Sequence, residues 1–492
     1  MSLFATETPQ SKQKLLGAFY TPPEVARTLV RWVIRSNDDR LLDPSCGDGR
    51  FLAEHLNVVG VDRDGSAVAT VAEQVPHATI HAAEFFDWAS NTNELFDCVA
   101  GNPPFIRYQQ FSGEIRKTAL RLCSEAGASL NGLTSSWAPF VVVSASMLKP
   151  GGRLAFVVPA EIGHAPYARP MIHYLMQRFS SVHVVAVREK IFPEISEDVW
   201  LLYAAGAGGS TDEIAFSSFD SFRDVSHKPP RGTPVAADDL KSWNDRLRSF
   251  LLPEEIRAAY KKLSNQKATV RLGECARVGI GYVTGANNFF HLRKSDAEQL
   301  GIPDDLLVPT VRRSSFLPSR AVTHATVSRW RNQDEPVFLL RIPTDADVPE
   351  AVQRYLDSKA GQEARTGYKC RKRTPWYSVP DVRVPDAFLS YMSGIGPSLV
   401  ANHARCVCTN SIHAVQLTNG MSVSELQQRW GHAAVPLSCE VEGHPLGGGM
   451  LKLEPGEAAR IALPSIDRRV PSRDREMIEE GVRIMRRWRH YA

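Results

Sequence analysis

The sequence predicts a doubly wound α/β sheet in its first half and a mixed α/β domain in its second. Three observations carry that reading. Short β-branched apolar runs alternate with helix-spaced apolar residues as far as Ala205. Small residues, glycines and prolines collect in the loops that follow the first strands, where such sheets hold ligands. Beyond Gly206 the alternation gives way to short strands and turns without βαβ regularity.

The predicted strands are Leu41–Asp43, Val58–Val61, Thr79–His81, Cys98–Ala100, Leu154–Val158, Val182–Val187 and Trp200–Ala205. Between them the helical spacing falls on Pro23–Arg35, Arg50–His55, Ser66–Gln74, Pro139–Leu148 and Arg169–Phe179. Gly206–Gly209 with Ser210 reads as a flexible break, and Asp220–Asn244 as a polar stretch. A basic helix over Asp474–His490 closes the chain. The expected domains are residues 1–245 and 246–492, because 492 residues exceed what one core supports.

Composition narrows the class. No apolar run approaches the roughly twenty residues of a membrane span, and the first ten residues lack a secretory signal. A cytoplasmic bacterial or archaeal protein, with no membrane association, is expected. The eight cysteines contain no Cys-x-x-Cys pair, so no metal site is expected; Cys406 and Cys408, near His403 and His413, fit a strand better than a metal knuckle. The net charge of +4 is unevenly placed: residues 1–245 hold 22 basic and 28 acidic side chains, residues 246–492 hold 36 and 26. A basic second half suits a polyanionic partner.

Leu41 to Leu52 reads as an apolar strand, a turn of small residues (Asp43-Pro44-Ser45-Cys46-Gly47-Asp48-Gly49) and a helix start. Such a turn lets backbone approach a ligand closely. Asp62 ends the next strand, where a carboxylate can accept both hydroxyls of a ribose; a simple turn acid is the alternative there. A dinucleotide-binding fingerprint is disfavoured, because Leu52 stands where its third glycine belongs.

Gly101-Asn102-Pro103-Pro104-Phe105 follows the fourth strand. Two consecutive prolines stiffen the backbone and remove two donors, so the turn behaves as a rigid hydrogen-bond acceptor. Such an acceptor suits an amino group on a planar ring, whose lone pair is delocalised. Acceptance of its hydrogens by the Asn102 side chain and the Pro103 carbonyl favours a pyramidal nitrogen, and Phe105 offers a flat face to the ring.

Together these segments resemble the gamma-class, TaqI-like N6-adenine DNA methyltransferases: the first turn their motif I, Asn102-Pro103-Pro104-Phe105 their motif IV. Gly101 to Gln109 resembles methylases paired with PstI-type nucleases. The resemblance implies a class I, Rossmann-like S-adenosylmethionine (SAM) methyltransferase sheet with a C-terminal target-recognition domain, acting as a monomer on double-stranded DNA. A separately encoded cognate restriction endonuclease is an implied partner.

It also implies roles. Phe19, Tyr20 and Thr21 contact SAM, as do Asp43, Pro44, Cys46, Gly47 and Asp62, with some relatives carrying glutamate at the last. Glu84 receives the SAM adenine amino group beside Phe85, and Phe140 packs on the cofactor. Asn102, Pro103, Pro104 and Phe105 form the catalytic turn, with Phe192, from Ile191-Phe192-Pro193, stacking opposite Phe105 on a flipped adenine. No general base is required, because the proton leaves after transfer makes the nitrogen cationic.

Arg277 to Asn288 resembles the start of target-recognition domains in this class. Lys369, Arg371, Lys372 and Arg373, beside Trp376, form the densest basic cluster and are expected to contact DNA, with Arg312 and Arg313. Three other readings stay open at this point: methylation of a protein glutamine or RNA base, a specificity subunit on an inactive methylase fold, and a fused nuclease using Asp239/Lys241 or Asp357/Lys359.

Overall fold

In chain order the first half runs through α1 (Pro23–Val33), β1 (Leu41–Asp43), β2 (Val58–Asp62), α2 (Gly65–Gln74), β3 (Thr79–Ala82), α3 (Phe85–Asn91), β4 (Phe96–Gly101), α4 (Gly113–Glu125), α5 (Trp137–Ser146), β5 (Leu148–Pro159), α6 (Ala168–Arg178), β6 (Phe179–Val187), β7 (Val199–Ala207), β8 (Glu213–Phe219) and β9 (Thr233–Ala236). The computed structural model describes residues 21–193, 197–225, 229, 231–344, 347–466 and 470–491. It divides into two units between Leu251 and Leu252.

The nine strands form one sheet in the order β3-β2-β1-β4-β5-β7-β6-β8-β9. β1 pairs in parallel with both β2 and β4, so the chain changes direction across the sheet there and opens a crevice at the carboxyl ends of these strands. β7 runs antiparallel between β5 and β6. This is the mixed α/β class that the sequence predicts.

The local chemistry explains the elements that frame the crevice. α1 starts with a proline at its first position, carries Glu24 in its first turn and Arg31 in its last, and buries Val25, Ala26, Leu29, Val30 and Val33. Those residues share an apolar cluster with β1, β4 and β5, each contributing roughly 1.5–3 kcal/mol when fully buried. The predicted helix Arg50–His55 is a single 3-10 turn, Leu52–Glu54. Left-handed Gly47 and Gly49 consume the residues that would start it, and the chain must re-enter the sheet at Val58.

Gly206–Ser210 is a packed turn rather than a break. Gly206 and Gly208 take positive φ, the Gly208 amide donates to the Arg178 carbonyl, and a Cβ at Gly209 would lie 2.1 Å from Ser180 Oγ. The turn leads into β8, which the sequence reading leaves unassigned, and β9, which falls inside the stretch Asp220–Asn244 that it reads as polar.

The second unit is also mixed α/β. Its five-stranded sheet joins Ala276–Ile280, Ile412–Leu417, Ala387–Ser390, Leu399–Asn402 and Ala321–Val322. The closing helix spans Ser472–Trp488 and packs on Glu254–Ser264 and Ala434–Glu442. After it, buried Arg489 meets buried Glu440 at 2.8 Å and also donates to the carbonyls of Gly394 and Gly449. Among the described residues no helix is long and apolar enough to cross a membrane, and no cluster of metal-ligating side chains is present.

Candidate active site

A cavity of about 420 Å³ lies at the carboxyl ends of β1, β2 and β4. The turn after β1 forms one wall. Its shape is set by Gly47, whose left-handed φ of 51° lets its amide donate to Asp62 Oδ2 at 2.8 Å. Asp62 Oδ1 accepts from the Asp64 amide at 2.9 Å, so both oxygens of that carboxylate are oriented by backbone. Pro44, Ser45, Gly47 and Asp62 all line the cavity.

Asp43 lies beneath this wall and is fully buried. Oδ1 accepts from the Ser45 amide at 3.1 Å, whereas Oδ2 has no hydrogen-bond partner among the described residues. Burial pushes its carboxyl up to about 8, with the charges of Asp62 and Asp48 adding and the Ser45 amide opposing. Gly101 is required beside it, since a Cβ there would stand 2.8 Å from Asp43 Oδ1 and 3.2 Å from the Phe156 ring.

Cys46 turns the other way. It is buried in the core, its Sγ would stand 2.9 Å from a Cβ at Gly60, and burial raises its thiol well above the usual range. It contributes an amide bonded to the Val61 carbonyl, not a side chain, to this wall.

The opposite wall comes from α3 and α5. Glu84 caps α3, its Oε2 accepting from the amides of Phe86 (2.8 Å) and Asp87 (3.1 Å). Burial raises its carboxyl, and it lines the cavity. Phe85 and Phe140 stack on each other at 4.9 Å with 21° between planes, so they form one apolar wall and leave no slot between them.

The Asn102-Pro103-Pro104-Phe105 turn follows β4. Asn102 and Pro104 line the cavity; Pro103 is buried. Phe105 is half-buried and packs on the apolar cluster that contains Phe192, which is 7% exposed. The two rings therefore border one apolar cluster. Thr21 is buried and gives its carbonyl to Arg50 at 2.7 Å; Phe19 and Tyr20 lie outside the described residues. Ser45 and Ser136, which bond this turn, and Arg63 and Phe111, which line the cavity, escape the sequence reading.

In the second unit the predicted basic cluster splits by role. Lys369, Arg371 and Lys372 are exposed, as is Arg313, and none makes a salt bridge among the described residues. Arg373 instead donates to the carbonyls of Val283 and Thr284, at 2.6 Å each. Its guanidinium holds the glycine-rich segment, a structural role that the sequence reading does not anticipate. Trp376 likewise packs on Phe289 and Phe290 in an apolar cluster. Arg312 is half-buried, and burial, then Arg313, lowers its pKa.

Residues 244–490 match the C-terminal domain of the type II methyltransferase M.Eco57I, residues 61–192 the Eco57I restriction-modification methylase family, and residues 2–83 the N-6 DNA methylase family. The chain is 22% identical over 440 residues to the type II methyltransferase M.AccI of Acinetobacter calcoaceticus, covering 84% of this chain and 78% of that one. With M.XamI of Xanthomonas campestris pv. amaranthicola it shares 21% over 476 residues, 92% and 85% of the two chains. The solved type IIG restriction endonuclease BpuSI aligns at a TM-score of 0.44 and 16% identity over 94% of this chain; the chain spans 61% of BpuSI.

Proposed function

Since this chain belongs to the M.Eco57I family of type II methyltransferases, we propose that its cavity and Asn102-Pro103-Pro104-Phe105 turn methylate N6 of an adenine rotated out of duplex DNA. The N-6 DNA methylase match makes the enzyme an adenine-specific DNA methyltransferase of a restriction-modification system. The observation that carries the residue-level reading is the juxtaposition of that turn with the cavity bounded by Gly47 and Asp62.

The cavity fits SAM. It has the volume for a nucleoside with an amino-acid arm, an oriented carboxylate at Asp62 for ribose hydroxyls, and an aromatic wall at Phe85 and Phe140 for the purine. Buried Asp43, one of whose oxygens has no partner among the described residues and whose carboxyl burial keeps largely protonated, ionises in response to a cation in the cavity and so favours its binding. Bound SAM supplies an electrophilic methyl on a sulfonium. Asn102 and the Pro103 carbonyl accept the two hydrogens of the target amine and direct its lone pair; Phe105 holds the base plane. Lys369, Arg371, Lys372 and Arg313 neutralise DNA phosphates. In this reading the enzyme acts as a cytoplasmic monomer, and a separately encoded endonuclease cuts the same site unmethylated.

Transfer of tritium from labelled SAM to duplex DNA, with nucleoside mass spectrometry of the product, tests the reading. N6-methyladenine is expected, abolished by Asn102→Ala. Methylated cytosine, or full activity of the Asn102 variant, overturns it.

A further inference from the structure

Ser136 stands at the N-terminus of α5, where a serine hydroxyl ordinarily caps the first amides of the helix. Here it makes no such cap and its backbone is already helical (φ −58°, ψ −34°). The hydroxyl is directed to the catalytic turn instead. It donates to the Pro104 carbonyl and accepts from the Ile106 amide at 2.9 Å, while the Ser136 amide donates to the Ile106 carbonyl at 2.9 Å. The residue is 1% exposed, so these bonds are sheltered from water.

A second serine holds the other side. Ser45, in the turn after β1, donates its hydroxyl to the Asn102 carbonyl at 3.1 Å, and its amide is fixed by Asp43. The carbonyls on either side of Pro103 are thus both occupied. The Pro103 carbonyl between them accepts no hydrogen bond from any described residue. Neither proline has an N–H with which the turn could fasten itself, so its orientation must come from neighbouring elements.

We infer that Ser45 and Ser136 are positioning residues for methyl transfer: their hydroxyls clamp the carbonyls flanking Pro103 and thereby aim the Pro103 carbonyl and the Asn102 amide at the target amine. The inference rests on the role proposed for Asn102 and Pro103. It assigns to one clamp from the cofactor turn and one from α5 the rigidity that two prolines alone do not give: they fix φ and hold the residue before each proline extended, but leave ψ of Pro104 and the fine aim of the carbonyls to neighbouring contacts. An amine acceptor misaimed by a fraction of an ångström loses much of its effect in the transition state while still binding the ground state.

The test uses the full chain. Ser136→Ala and Ser45→Ala are measured for single-turnover methylation of duplex DNA lacking adenine methylation, for S-adenosylhomocysteine affinity by calorimetry, and for melting temperature. Both variants are expected to slow the single-turnover step at saturating SAM by about 10- to 100-fold with melting temperature retained. A role confined to folding would instead lower the melting temperature and leave the rate per binding-competent molecule at the wild-type value, which overturns the inference. Should Ser136→Ala fail to fold, Ser45→Ala decides, since it deletes one bond from a half-buried position. Asn102→Ala, run in parallel, separates the two levels. If it remains fully active, the reading of the turn fails; if it is inactive while both serine variants are normal, only the clamp fails.

Discussion

Replacing Asp43 with asparagine is expected to stabilise the cofactor-free protein while weakening its grip on SAM. The side chain is fully buried, keeps one unpartnered oxygen, and has its carboxyl pushed to about 8 from an ordinary 3.8 by burial and by Asp62 and Asp48. The folded pKa is raised, so the favourable contribution is complete below 3.8 and is lost as pH rises through about 8. At pH 7 the unfolded carboxylate is fully ionised and the folded one is largely held protonated, a difference of at most roughly 4 kcal/mol against folding. Asparagine preserves the shape and the acceptor for the Ser45 amide without that term. For a unit of this size the gain corresponds to a melting temperature higher by on the order of 10 °C.

Differential scanning of the apo protein between pH 4 and 9 measures this directly. The variant and wild type should coincide near pH 4 and diverge as pH rises, with the variant the more stable. Calorimetry should show that wild-type SAM binding releases a proton below pH 8 and that the variant binds more weakly without release, because a bound cation favours the ionised carboxyl. An Asp43→Asn protein that melts at or below wild type across pH 7–8 would refute the assignment of a buried acid held protonated beneath the cavity wall.

Three further outcomes are expected. Glu440→Gln leaves the buried Arg489 guanidinium without its counter-charge, and should destabilise the second unit by about 3–5 kcal/mol in urea titration. Burial depresses His183 to about 4 and, with Arg312 adding, His291 to about 3, so both must stay neutral in the fold; stability should fall as pH drops below 6.5, by roughly 3 kcal/mol for His183 by pH 4, and His183→Gln should flatten that profile. Replacing Lys369, Arg371 and Lys372 together with alanine should make the salt dependence of DNA binding shallower by about 3 in slope at unchanged melting temperature, whereas Arg373→Ala should lower the melting temperature by breaking its bonds to Val283 and Thr284.

Much of the sheet is legible because parallel strands buried on both faces must be continuous β-branched runs. Val58–Asp62 announces itself in that way, whereas Leu41–Asp43 and Phe96–Gly101 hold only Val99 of that type and are read as short apolar runs ending at turn-forming loops; the loops after all three can then be ranked by their residues alone. The turn after β4 is legible for a similar reason: Asn102-Pro103-Pro104-Phe105 is too costly for a helix and too short of donors for a strand, so it must serve as a turn. α3 and α4 were less visible. α3 is brief and rich in aromatics, and α4 buries only Ala119 and Cys123, which is too narrow an apolar stripe to register as a period.

What stayed hidden is the direction of side chains once backbone positions are fixed. Glu84 reads as a cofactor ligand, yet one of its oxygens is committed to the cap of α3; Cys46 sits inside the motif but faces the core. Charge is the sharpest case. Four basic residues between Lys369 and Arg373 look equivalent in sequence, and only the paths of Val283 and Thr284 show that one of them bonds backbone carbonyls while the other three are exposed. The serines follow the same logic from the other side. Ser136 carries no signal in the sequence, and it bonds the turn only because the start of α5 lies against the loop that follows β4, which is a fact of topology that no local pattern contains.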